Sequence, residues 1–155
     1  MKGKGSKRIL AVALSVAVTA VTGTASAIAA PPQSATFAVV EQIDAGTGVF
    51  TSVGSILCAI GTTTNEVLVT GFQSDRGLIF HVRKTITCND GSGTFTLQIQ
   101  ARLGFNGGFE ATSGTWVVLS GTGEYAKLHG RGTVVGTQLD GGVVSDVYVG
   151  RLAIR

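Results

Sequence analysis

The chain has 155 residues, 44% of them hydrophobic, with 12 Lys and Arg against 9 Asp and Glu for a formal net charge of +3. That sign is local: Lys2, Lys4, Lys7 and Arg8 stand at the start, every acidic residue lies from Glu41 onward, and residues 30–155 hold eight dispersed bases against nine acids, a net charge of −1. This balance excludes a basic face for nucleic acid or an anionic membrane, and about 125 residues make one ordinary domain.

The first segment reads as a cleavable secretory signal peptide over residues 1–29, with the folded domain over 30–155. A basic start precedes the apolar run Ile9 to Val21, and Ala25-Ser26-Ala27 and Ala27-Ile28-Ala29 offer small-residue cleavage positions. A membrane anchor is the competing reading. The run of 13 residues falls short of the roughly twenty that a spanning helix needs. The expected location is therefore secreted and extracellular, with no membrane partner after cleavage. Pro31 and Pro32 then open an extended lead-in.

Beyond residue 32 proline is absent and glycine supplies the punctuation, at Gly46-Thr-Gly48, Gly91-Ser-Gly93, Gly107-Gly108, Gly121-Thr-Gly123 and Gly141-Gly142. Between these marks the predicted strands are Ala35 to Asp44, Gly48 to Ile60, Glu66 to Phe72, Leu78 to Cys88, Thr94 to Phe105, Thr115 to Ser120, Gly132 to Leu139 and Val143 to Ile154. The clearest is the fifth, where Phe95, Leu97, Ile99, Ala101, Leu103 and Phe105 alternate with polar residues. One face meets a core and the other meets water, as in an antiparallel barrel or sandwich. Cys88-Asn-Asp-Gly-Ser-Gly93 predicts a hairpin turn into that strand. No segment carries a sustained helical stripe. The fold class expected is all-β, a small antiparallel β-barrel of about eight strands, because closure removes the exposed edges of an open sheet.

Export also decides how the two cysteines are read, since an oxidising compartment favours a Cys58–Cys88 disulfide over free thiols. Neither zinc-ligand nor calcium-loop spacing is present, and no metal or cofactor is expected. Gly121-Thr-Gly123-Glu-Tyr-Ala126 formally fits the GxGxxA dinucleotide pattern, but Gly130 and Gly132 break the helix that a phosphate site requires. A glycine-rich corner between two strands is the preferred reading.

That corner, Ser120-Gly121-Thr122-Gly123-Glu124-Tyr125-Ala126-Lys127-Leu128-His129-Gly130-Arg131-Gly132, resembles the GGTGxYxxAxGxG stretch of the allene oxide cyclase-like and dirigent-like β-barrel superfamily. Ser120 replaces the usual first glycine, and Leu128 stands where alanine is frequent. The resemblance implies a small eight-stranded barrel. It is closest to the secreted bacterial members, the others including cyclases and proteins that steer phenolic radical coupling; it also implies self-association, so a homo-oligomer is an expected partner arrangement.

Charged residues on apolar strand faces are the candidates for chemistry. Glu41 shares a face with Phe37, Val39 and Ile43, and Lys84 shares one with Phe80, Val82 and Ile86. Burying either is costly unless it is paired, and a perturbed pKa is what acid–base catalysis uses. An ion pair at a barrel mouth or an outward turn at a bulge is the structural alternative. Asp146 and Tyr148 share a face with Val144 and Leu152, either orienting a ligand or closing a core hydrogen bond. Phe80, Leu97, Ile99 and Trp116 are expected to line the lumen. His81 falls on the solvent-like face and His129 in the corner, without a GxSxG nucleophile. Three functional classes follow. The favoured one is a secreted barrel binding a small hydrophobic or aromatic molecule; the others are a cofactor-free cyclase or isomerase using Glu41 or Lys84, and a structural or interaction protein with a filled lumen.

Overall fold

Inward and outward residues alternate along the strands, and the alternation runs around a closed ring. A computed structural model describes residues 30–54, 56–73, 77–106 and 109–155; the expected signal segment, 1–29, lies outside the described residues. Eight strands follow in chain order: β1 (Gln33–Gln42), β2 (Thr47–Val53), β3 (Ile60–Gln73), β4 (Gly77–Cys88), β5 (Thr94–Asn106), β6 (Phe109–Gly121), β7 (Leu128–Leu139) and β8 (Val143–Ile154). Each pairs antiparallel with its neighbours, and β1 closes the barrel against β8 from Gln33↔Leu152 to Gln42↔Val143.

Several boundaries differ from the sequence expectation, each for a local reason. The predicted strand Gly48 to Ile60 is interrupted after Val53, where Gly54 takes φ of 128°, a conformation disfavoured for residues with a Cβ. The chain returns with Ser52 donating its backbone N–H to Ala59 and its Oγ to the Cys58 carbonyl. β3 therefore begins at Ile60 rather than Glu66 and takes in the threonine run between the two predicted strands. β7 begins at Leu128 rather than Gly132, so Gly130 and Gly132 lie inside a strand. A side chain at Gly132 would meet the Trp116 indole, and one at Gly150 would meet the same ring from β8. Their missing side chains make the bed on which Trp116 lies.

The Gly121–Gly123 corner is as expected, a short 3₁₀ turn over Gly123–Tyr125 entered with φ of 58° at Gly123. Tyr125 packs from it onto Phe95, their ring centroids 5.3 Å apart. The Cys88–Gly93 turn also forms, with Asp90 Oδ1 accepting from the backbone N–H of Ser92.

The two halves of the lumen are filled differently. Toward the end where Leu57 and Cys58 are buried and the 122–127 corner lies, Phe37, Phe50, Phe95, Trp116, Tyr125 and Tyr148 are all buried. Phe37 stacks on Tyr148 with centroids 4.7 Å apart and contacts Phe50 and Trp116 at 5.5 and 5.4 Å. Each such pair is worth about 0.5–1.5 kcal/mol beyond its buried area. Cys58 and Cys88 are joined by a disulfide at this end, their Cα atoms 5.9 Å apart. Toward the end carrying the β1–β2 and β7–β8 hairpins, the inward residues leave a cavity.

Candidate functional site

A cavity of about 290 Å³ occupies the hairpin end of the lumen. Its walls are mostly apolar, with Phe80, Val82, Ile99, Ala101, Leu103, Val134 and Val144 among the lining residues, and Glu41, Asn65, Lys84, Asp146 and Tyr148 also line it. The volume sits at the lower end of the range for small-molecule pockets, as does the pattern of apolar walls with a few convergent polar groups.

Strand periodicity puts each polar side chain inside. Glu41 follows buried Phe37 and Val39 on β1; Lys84 lies between buried Val82 and Ile86 on β4; Asp146 precedes buried Tyr148 on β8. In an eight-strand ring β4 and β8 stand on opposite sides, so Lys84 reaches across the lumen. Its Nζ donates to Glu41 Oε2 and lies 3.8 Å from Asp146 Oδ2. Asn65 Nδ2 donates to the same Glu41 oxygen at 2.8 Å, and Tyr148 Oη donates to Asp146 Oδ2 at 3.1 Å. The ammonium also stands 5.8 Å from the centroid of the Tyr148 ring, within reach of a cation–π attraction. Gly136, paired with Asp146 across β7 and β8, leaves room for the carboxyl: a Cβ there would collide with Asp146 Oδ1.

Lys84 is only 1% exposed and Asp146 8%, so the charges sit where solvent compensates them poorly. Burial pushes the Asp146 carboxyl above its ordinary value, Lys84 draws it partly back, and the nearby Glu41 charge adds to the rise. Burial also drives the Tyr148 phenol well above its ordinary value, reinforced by the negative charges of Asp146 and Glu41. Tyr148 therefore keeps its proton at physiological pH and donates a hydrogen bond to Asp146. One ammonium serves two carboxylates in an apolar chamber, an arrangement able to bind a polar group or exchange a proton with it.

Glu41 and Lys84, read as catalytic candidates, and Asp146 and Tyr148, read as ligand contacts, belong to one cluster. Phe80 and Ile99 line the cavity as expected. Leu97 and Trp116 face inward but are packed in the aromatic half, 1% and 2% exposed, and are not among the residues lining the cavity. Alternation assigns a face, and these two stand at a different height along the axis. His129 lies at the start of β7 with Nδ1 3.1 Å from the Lys127 carbonyl oxygen, and neither it nor His81 lines the cavity. Asn65 is the polar residue that the sequence reading missed. Its signal was its inward phase with Gly61 and buried Thr63, hidden because the strand was begun one residue after it.

A second depression, of about 360 Å³, lies at the disulfide end between the lead-in Ala30–Gln33 and the Tyr125 corner. None of the buried charges lines it, so the hairpin-end cavity is the stronger site. Comparison with protein-family models, curated proteins and solved structures gives no match.

Proposed function

We propose that this protein is a secreted barrel that binds a small, largely apolar or aromatic molecule in the hairpin half of its lumen. One observation carries the reading: an apolar cavity of about 290 Å³ that also presents the Lys84, Glu41 and Asp146 ion cluster to its contents. A fully packed barrel has no such space, which favours binding over a purely structural role. The Cys58–Cys88 disulfide and the basic, then apolar, first segment support export. The eight-stranded closed barrel and residues 120–132 support the proposed kinship with allene oxide cyclase-like and dirigent-like barrels.

The test is native mass spectrometry of the protein recovered from culture medium, followed by titration with the neutral fluorophore N-phenyl-1-naphthylamine. Ala101 is buried and lines the cavity, so Ala101→Trp should fill it. Wild type is expected to bind the fluorophore and the variant to lose binding while unfolding cooperatively. Equal binding by both would place the ligand elsewhere and end the proposal.

A second reading, a cofactor-free cyclase or isomerase, is supported by the raised Asp146 carboxyl beside Tyr148 and Lys84. Such a carboxyl can lend its proton to a substrate oxygen and recover one after rearrangement, so no co-reactant is consumed. Turnover that survives Asp146→Asn together with Glu41→Gln would exclude this cluster as its source.

A further inference from the structure

Resting on the reading that the lumen binds an apolar molecule, we infer that this molecule carries a protonated amine at the end that meets the ion cluster. The cluster is richer in acceptors than in donors. Both hydrogen bonds received by Glu41 fall on Oε2, and Asp146 receives its hydrogen bond from Tyr148 on Oδ2. Among the described residues, no protein donor reaches Glu41 Oε1 or Asp146 Oδ1. Asn65 Oδ1 is a buried acceptor with no partner at all. All three residues line the same cavity. A buried acceptor left without a donor costs about 1–3 kcal/mol, so a ligand that donates to Asn65 Oδ1 binds better than one that does not, and Glu41 Oε1 and Asp146 Oδ1 offer further acceptors beside it.

Charge selects among donors. An incoming cation favours the ionised form of Asp146, and with both carboxylates ionised Glu41 and Asp146 outnumber the Lys84 ammonium by one in an apolar chamber. A carboxylate ligand would add a third anion and no donor. An alcohol brings one donor and no charge. A primary ammonium brings three donors and the positive charge that balances the cluster. The cavity, about 290 Å³, has roughly twice the volume of an engineered 150 Å³ cavity that holds benzene. A phenyl ring on a short alkyl chain fits that size.

Isothermal titration of the folded, disulfide-bonded protein with 3-phenylpropylamine, 3-phenylpropan-1-ol and 3-phenylpropionate at neutral pH decides the matter. The amine is expected to bind at least roughly tenfold tighter than the alcohol, the scale of one charge-assisted hydrogen bond, and the carboxylate most weakly. Asp146→Asn should narrow the amine-to-alcohol affinity ratio to about one, read as a ratio because both compounds meet the cluster. Cooperative thermal unfolding of the variant shows that it is folded, and Glu41→Gln is read by the same ratio; a ratio that stays tenfold in both variants would overturn the amine inference. Equal affinities for all three compounds, or a tighter carboxylate, would overturn the amine inference while leaving lumen binding intact. Absence of binding by all three would remove lumen binding, and the amine inference with it.

Discussion

The aromatic half and the hairpin half of this lumen are built by the same strands in the same alternation, yet one is filled and the other is open. In the first, β1, β2, β5, β6 and β8 contribute rings that meet one another, and the glycines of β7 and β8 flatten the wall beneath Trp116. In the second, the inward positions carry mostly aliphatic side chains with a single inward phenylalanine, Phe80, the small Ala101, Asn65 and three buried or nearly buried charges. Ring size decides the difference. Six aromatic side chains saturate an eight-stranded lumen, whereas aliphatic and short residues leave the space that the ion cluster faces. Stability is therefore concentrated at one end, and the other is free to hold unfavourable charge.

Removing a ring should sharpen that division most. Trp116→Ala empties the bed formed by Gly132 and Gly150 and is expected to cost about 3–5 kcal/mol in denaturant unfolding, with N-phenyl-1-naphthylamine binding retained under native conditions. If binding falls with stability, the halves are not separate. Replacing both Cys58 and Cys88 by Ala should cost about 3–4 kcal/mol, the loop-closure value for a separation of 30 residues. Cavity binding should again persist.

Lys84→Met tests the other half. It leaves two carboxylates in an apolar chamber without their cation and is expected to destabilise by about 3 kcal/mol, the lower end for breaking a buried pair. Adding Glu41→Gln and Asp146→Asn to that variant should recover most of the loss. Without recovery, Lys84 would matter for its packed stem rather than for its charge.

The same division marks what could be read from the sequence. Period two assigned Glu41, Lys84, Asp146 and Tyr148 to inward faces, and all four are inward. It could not show that they meet, because their juxtaposition depends on ring closure, which brings β8 beside β1 and sets β4 across from it. Nor does alternation fix height along the axis, so it places Leu97 and Trp116 inward, as they are, without separating them from the residues that line the cavity. Asn65 was hidden by Thr62-Thr63-Thr64, a run with β-branched propensity but no apolar alternation. Gly132, Gly136 and Gly150 fall within the predicted strands, but alternation does not show that each stands opposite a group needing its space.

Two aspartates, one at each end, should bend stability in opposite directions with pH. Asp90 lies in the exposed Cys88–Gly93 turn, where hydrogen bonds from the Ser92 side chain and backbone hold its carboxyl below the ordinary value of 3.8. It contributes stability above that value, lost as pH falls through its folded pKa. Asp146 is the reverse. Burial raises its carboxyl above 3.8 despite Lys84, so the native state binds its proton more tightly than the unfolded chain does. Its contribution is fully present below 3.8 and is lost as pH rises through the folded pKa. Asp146→Asn should remove that loss. The stability of wild type minus that of the variant is expected to fall as pH rises from 3.8 through the folded pKa of Asp146, whereas the same difference for Asp90→Asn should rise as pH increases through the acid range. The Asp146 change, although smaller than that of any core truncation, is the direct measure of how poorly the cavity solvates charge. A flat Asp146 difference would mean that the cluster is as well solvated as the turn, and the contrast between the two ends would lose its electrostatic half.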